Sequence, residues 1–417
     1  MIHRTLSTGG AGAGHAIVGV VGGGQLARML AEAASALGLE LHVLAGAEDD
    51  AVAGLASVSV GDHRSLTALE RLAERCDVVT FDHEHVPIEL VQALEDRGCV
   101  LRPSSSALRF ADKAWQRAAL HAAGLPVPRF TIVRSATEVD RFARDVGSWP
   151  IVLKPARGGY DGRGVHHVWG PDEAGTLLGN SPSNVSWVAE EQVPIDAELA
   201  VVVACALDGQ AVAYPVVQTV QRDGICVELF TPAKQPPAVL DHASQLAFDV
   251  ARVVGAVGIL AVELFVAGDQ LLVNEVAPRP HNTGHVTIEA TTTSQFENHL
   301  RAVLGWPLGA TDLRQPAAAM VNVLGGPEGT DPRRLLPAAL ATGDVHVHLY
   351  GKAARPGRKL GHVTALADDP AEALARARRA GVELGTPGAW ADAPSVEHLA
   401  AAEPVGAQGA DEEVRSP

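Results

Sequence analysis

The sequence predicts a protein of mixed α/β and α+β class with more than one domain, and three stretches carry that expectation. Ala16 to Met29, AIVGVVGGGQLARM, is an apolar run that meets three glycines and then a helical pattern to about Leu37, the opening of an open, Rossmann-like α/β unit. Ile151 to Val165, IVLKPARGGYDGRGV, is a strand feeding a loop that carries Gly158, Gly159, Gly162 and Gly164. Gly258 to His285 reads as two apolar strands around the turn signal Gly268-Asp269, followed by a polar loop that its prolines keep from being helical. At 417 residues the chain exceeds one ordinary core, so two or three domains are expected.

Composition narrows the function. Hydrophobic residues make up 47% and charged ones 20%, the balance of a globular soluble protein, and no apolar run is long enough for a membrane-spanning helix. Residues 1–15 are Gly-rich, lack the apolar core of a signal peptide and read as a disordered leader. Residues 385–417 are rich in Ala, Pro, Gly and Glu and read as a mobile tail. Cys76, Cys99, Cys205 and Cys226 are scattered without C-x-x-C spacing, which points to buried thiols in a reducing cytoplasm rather than to zinc or a disulfide framework. A formal charge of −16 disfavours nucleic acid and anionic membranes. A small phosphorylated substrate stays possible, because screening beyond about 8 Å leaves local lysines and arginines to set a site's potential.

Taken in order, Gly22, Gly24 and Ala27 satisfy G-x-G-x-x-A. A dinucleotide site also needs an acid at the end of the next strand, and Glu40 to Leu44 runs into Ala45-Gly46-Ala47 before Glu48; a nicotinamide enzyme is therefore kept as a rival. A third strand, Asp77 to Phe81, leads to Asp82-His83-Glu84-His85. Alternating side chains face opposite ways and cannot all ligate one metal; they suit a small polar ligand at a strand's C-terminal end, or a solvated loop. Ser104 to Ser106 cap a helix carrying Leu108, Arg109, Lys113, Trp115 and Leu120, which sets Arg109 and Lys113 on one face. Leu125 to Pro128 marks a hinge into the second domain.

There Lys154 places a point charge ahead of glycines whose amides can approach a polyphosphate. A Gly-rich hairpin is the plainer alternative, and the order of lysine and glycines is not that of a P-loop. Trp187 to Gln192 reads as a strand ending in carboxylates and Asp196 to Leu207 as another; Glu190, Glu191 and Glu198 can accept from a nucleoside or be surface acids. In the hairpin, a three-residue loop sets Glu263 opposite Glu275, and a shorter one sets it opposite Asn274. Opposed like charges are destabilising, so a bridging cation is expected: magnesium on carboxylate and amide oxygens, with phosphate completing its shell, or a nearby lysine or arginine. Arg279, His281, Asn282 and His285 would lie beside it. Lys352, Arg355, Arg358 and Lys359 follow a short strand with His346 and His348, forming a pocket for a phosphate monoester or a solvated basic turn. Asp369 to Leu384 has helical spacing.

With GGGQLARM, the GGYDGRG loop at Gly158 to Gly164, NEVAPRPHNTGH at Asn274 to His285 and RPGRKLGH at Arg355 to His362 in this order, the chain from Ala16 to about Gly381 resembles the ATP-grasp ligases. Among them it is most similar to the 5-(carboxyamino)imidazole ribonucleotide synthetase family of purine biosynthesis. The resemblance implies an ATP-grasp fold: an open α/β domain at 16–112, an ATP-grasp domain at 113–308 and a small C-terminal domain at 309–384. It implies ATP, magnesium, bicarbonate and 5-aminoimidazole ribonucleotide as ligands, no tightly bound organic cofactor, and a homodimer.

By position, Arg109, Lys154 and Gly159, Tyr160, Asp161, Gly162, Arg163, Gly164 and Val165 match phosphate-contacting residues. Glu190, Glu191, Gln192 and Val193 match the adenine strand, Glu198 the ribose acid, and Glu263, Asn274 and Glu275 the magnesium ligands, with Gln221 also on the ATP side. Gln25, Leu26, Asp82, Glu84, Tyr160, Asp161, Arg279, His281, Asn282, Lys352, Arg358 and Lys359 fall on the acceptor side, with Asp161 or His281 to relay the amine's proton and Lys352 beside them. Similar enzymes often carry His where Gln221 stands and Glu where Asp82 stands. A formate-dependent ATP-grasp transformylase and a non-catalytic nucleotide-binding regulator are the remaining rivals.

Overall fold

The computed structural model describes residues 16–47, 51–158, 164–182 and 185–386. The leader, Glu48, Gly159 to Arg163 and nearly all of the tail lie outside the described residues.

The first sheet is parallel, in the order Ser57–Val60, Glu40–Ala45, Ile17–Val21, Val78–Phe81. Ile17–Val21 is buried from Val18 onward and runs through Gly22 to Gly24 into the helix Gln25–Ala36, whose Leu26, Met29, Leu30 and Ala34 pack on the sheet. The strand Ser57–Val60 escapes the sequence reading: SVSV is half serine, and at the sheet edge most of it is exposed. Val78–Phe81 is consequently the fourth strand rather than the third.

The helix expected from Ser104 is two helices. Ser105–Leu108 passes through a single 3-10 turn, Arg109–Ala111, and stops at Asp112, whose backbone is extended and whose carboxylate accepts from the amides of Ala114 and Trp115 to start Lys113–Ala122. An aspartate that caps better than it propagates breaks the helix there. Arg109 and Lys113 therefore do not share a helical face; Lys113 and Arg117 do.

The second sheet is antiparallel, Phe130–Val133, Trp187–Glu191, Ile151–Pro155, His166–Val168. Trp187–Glu191 lies inside this sheet, which buries Glu190. The third and largest sheet runs Gln270–Ala277, Gly258–Ala267, Ala197–Cys205, Val217–Arg222, Ile225–Thr231, Ala317–Leu324, Lys359–Ala367, His346–Leu349, with Ala211–Ala213 attached to Ala197–Cys205. It continues without a gap past residue 308, through Glu228↔Val321 and Phe230↔Ala319. Helices Pro237–Val254 and Pro370–Glu383 bury its two halves, and Gln295–Leu304 packs against the first sheet through Phe296, Leu300 and Val303.

The hairpin at 258–277 sets Glu263 opposite Glu275 by a route different from either loop considered above. Its turn has only two residues, since Ala267 pairs with Gln270, and the register then shifts between Glu263 and Leu264. Leu264 faces Val273, Glu263 faces Glu275, and Asn274 is the extra residue of a β-bulge. All four cysteines are free thiols, and among the described residues no helix is long and apolar enough to cross a membrane.

Candidate active site

One cleft of about 1090 Å³ is lined from all three sheets. The first domain contributes Gln25 and Leu26 from the helix that follows its first strand, and Asp82 and Glu84 from the loop after Val78–Phe81; the second sheet contributes Lys154, Glu190 and Glu191, with Gln192 and Val193 just beyond; the third contributes Glu198, Gln221, Glu263, Asn274 and Glu275. Arg109, Val165, Arg279, His281, Asn282 and Lys359 also line it. Residues more than 250 positions apart in the chain thus meet.

The glycine turn after the first strand holds the protein's own carboxylate. The Gly24 amide donates to Asp82 Oδ2 at 2.5 Å, and a Cβ on Gly24 would stand 2.6 Å from that oxygen, while one on Gly22 would meet the His83 ring at 2.8 Å. The glycines admit the Asp82-His83 loop rather than a pyrophosphate, which removes the structural basis of the nicotinamide rival. Burial pushes the Asp82 carboxyl up, against the Gly24 amide, and brings the His83 imidazole down to about 3, so it is neutral. His63, His83 and His85 lie close together, yet among the described residues no group of three or more His, Cys, Asp or Glu side chains is arranged to hold a metal. Glu84 pairs with Arg279 at 2.7 Å.

Across the cleft, Lys154 Nζ lies 2.7 Å from Glu190 Oε2 and donates to Asn274 Oδ1 at 3.2 Å. Arg117 Nε donates to the other Glu190 oxygen at 2.6 Å. Burial would raise the Glu190 carboxyl, but Arg117 and then Lys154 hold it down to about 2; burial also lowers the Lys154 ammonium. Lys113 Nζ donates to Glu275 Oε1 at 2.7 Å. Among the described residues no lysine or arginine pairs with Glu263: Asn274 Nδ2 donates to it at 3.4 Å and His281 Nε2 stands 3.7 Å away. Burial, then Glu275 and Glu198, push its carboxyl up to about 7. Burial raises the Glu198 carboxyl, and the neighbouring Gln221 opposes the rise.

Three expected neighbours stand apart. Lys352 donates to Gln25 Oε1 at the cleft's margin, and Arg358 donates to the carbonyl of Ala353 at 3.0 Å without lining the cleft. His285 is fully buried away from it, against Phe296, Tyr350 and His362. Tyr160 and Asp161 lie outside the described residues.

Family models match the chain as an ATP-grasp domain at residues 118–296, a ribonucleotide synthetase preATP-grasp domain at 15–112 and a phosphoribosylaminoimidazole carboxylase C-terminal domain at 318–376. The N5-carboxyaminoimidazole ribonucleotide synthase of Mycobacterium tuberculosis is 48% identical over 364 residues, covering 85% of each chain. The chain belongs to the N5-carboxyaminoimidazole ribonucleotide synthase family. Solved structures of synthases of this name superpose closely. That of Thermus thermophilus gives a TM-score of 0.78 at 36% identity, over 87% of this chain and 98% of the other. That of Aspergillus clavatus, in complex with ADP and 5-aminoimidazole ribonucleotide, gives 0.80 at 31%, over 89% and 98%. In this member of the synthase family, a side chain that the sequence reading passed over is Arg117, buried behind the cleft wall against Glu190 and the Asn274 carbonyl. It stands one turn after Lys113, and only the break at Asp112 shows that the cationic face of this segment is 113 and 117 rather than 109 and 113.

Proposed function

We propose that the chain catalyses the ATP- and bicarbonate-dependent carboxylation of the amine of 5-aminoimidazole ribonucleotide, giving N5-carboxyaminoimidazole ribonucleotide, ADP and phosphate. The observation that carries this reading is the meeting of Lys154 from one sheet with Asn274, Glu263 and Glu275 from another in one cleft.

Glu263, Asn274 and Glu275 fit a magnesium ion. They offer carboxylate and amide oxygens, too few for a complete cage, as suits a cation that shares its shell with phosphate, and burial together with the facing Glu275 pushes the Glu263 carboxyl up to about 7. When bound there, magnesium supplies charge neutralisation during phosphoryl transfer.

Bicarbonate is a poor electrophile. A bicarbonate oxygen attacks the terminal phosphorus of ATP, the bond to the bridging oxygen breaks, and ADP leaves carboxyphosphate behind. Lys154 and the amides of the Gly158 to Gly164 loop neutralise the transferring group, and the same loop keeps water from the intermediate. The substrate amine then attacks the carboxyl carbon, phosphate departs, and the amine's proton passes to His281 or to Asp161. Because the Glu190 carboxylate is engaged by Lys154 and Arg117, the adenine is held by the backbone of Glu190 to Val193, and Glu198 with Gln221 takes the ribose. Gln25, Leu26, Asp82, Glu84, Arg279, Asn282 and Lys359 surround the acceptor, and Lys352 acts from the margin through Gln25. The homodimer and the cytoplasmic location expected from the sequence complete this reading.

The test is phosphate release from ATP and magnesium with each co-substrate omitted in turn. Release that requires both bicarbonate and 5-aminoimidazole ribonucleotide supports the assignment; formate replacing bicarbonate, or release indifferent to the ribonucleotide, would overturn it.

A further inference from the structure

We infer that Arg117 is a positioning residue for phosphoryl transfer, acting through Lys154 and the Asn274 bulge rather than on a substrate; the inference rests on the cleft being the nucleotide site. Arg117 is 2% exposed, and its guanidinium forks between two sheets. Nε donates to Glu190 Oε1 and Nη2 to the carbonyl of Asn274, both at 2.6 Å. Glu190 Oε2 meets Lys154, and Lys154 meets the Asn274 amide oxygen. The contacts close into a ring, Arg117 to Glu190 to Lys154 to Asn274 and back.

The same helix grips the hairpin on both sides of Glu275. Lys113 reaches the Glu275 carboxylate, Gln116 Nε2 donates to the carbonyl of Val276 at 3.1 Å, and Arg117 takes the carbonyl of Asn274. About one turn of helix thus fixes three successive residues of the strand that carries two of the three magnesium donors.

Two consequences follow for the chemistry. The ring holds two cations and one carboxylate, so it presents a net positive charge to phosphate; without Arg117 the Lys154–Glu190 pair would be neutral, and the carboxylate would be free to draw the ammonium away from a nucleotide. The bulge would also lose its anchor, and with it the direction of the amide that touches both Lys154 and Glu263. A planar fork can bridge Glu190 and the carbonyl at fixed angles, whereas a lysine reaches one of them and keeps the charge.

A double-mutant cycle tests this on the full-length chain, read as ADP affinity by titration calorimetry with magnesium present. Arg117→Met is expected to weaken ADP by about tenfold alone but by less than about twofold in a Lys154→Ala background, since residues acting through one another do not add. The same variant should lower kcat about tenfold or more while leaving KM for 5-aminoimidazole ribonucleotide within about twofold, and Arg117→Lys, which keeps the charge but reaches only one of the two acceptors, should recover only part of the loss. If Arg117→Met does not fold, Arg117→Lys takes its place in the cycle, with a coupling to Lys154 of about threefold expected. Multiplicative losses, or an Arg117→Met enzyme with unchanged kcat and ADP affinity, would overturn the inference. Absence of ADP binding by the unaltered chain would overturn the nucleotide reading itself and this inference with it, whereas binding by that chain with no coupling would overturn only the role of Arg117.

Discussion

Glu263→Gln should stabilise the metal-free protein while disabling it as an enzyme, and pH separates this from an ordinary packing effect. In the fold, burial and the facing Glu275 carry the Glu263 carboxyl from its ordinary 4.5 to about 7. Between those values the folded chain binds more protons than the unfolded one, so this residue's contribution to stability falls as pH rises through the window and is fully unfavourable above pH 7. The shift corresponds to at most about 3 kcal/mol. A quarter of the side chain remains accessible, and solvent screening reduces the figure to about 2 kcal/mol. Glutamine keeps the shape and an oxygen for the Asn274 amide but carries no charge. Urea denaturation in the presence of a chelator, at about pH 5 and about pH 8, should find the variant more stable by about 2 kcal/mol at the higher pH and near parity at the lower. Saturating magnesium should reverse the order, because a ligand stabilises only the fold that binds it. Equal stabilities at the higher pH, or an advantage of the same size at both, would refute the reasoning.

The basic segment after Gly351 should divide in function: Lys359→Ala, which alters the cleft wall, is expected to raise KM for 5-aminoimidazole ribonucleotide by tenfold or more, about the worth of one charge-assisted contact. Arg358→Ala, whose guanidinium serves the Ala353 carbonyl, should change it by less than about threefold; initial-rate kinetics on the two variants decide the matter, and equal effects would restore a pocket built on both. Gly24→Ala should displace Asp82 from the helix amide, because the new methyl would sit 2.6 Å from its oxygen; a loss of about 2 kcal/mol in denaturation is expected, and a neutral result would mean the contact carries no weight.

Much of the site was legible because its parts sit at ends of apolar runs. Lys154 after Ile151-Val152-Leu153, and Glu263 and Glu275 within an otherwise apolar hairpin, stand out without any structure. What escaped depends on distant parts of the chain. Nothing local in SVSV distinguishes an edge strand from a loop. Glu190 reads as a surface acid until its strand is known to lie between Phe130–Val133 and Ile151–Pro155 with Arg117 behind it. The glycines after the first strand fit a cofactor motif equally well until the Asp82 loop, nearly sixty residues on, is seen to fill the space they leave. The opposition of Glu263 and Glu275 was reached from a loop of the wrong length, because a bulge adds back the residue that the tighter turn removes.

That compensation bears on how the hairpin tolerates change. A chain one residue shorter at Asn274 would close into an unbroken ladder and still face glutamate with glutamate, since every pairing on the turn side of the insertion would stay as it is. Only the amide that spans Lys154 and Glu263, and the carbonyl that receives Arg117, would vanish. Deletion of that single codon would therefore strip away the amide contacts to Lys154 and Glu263 and the Arg117 anchor while leaving the two glutamates opposed.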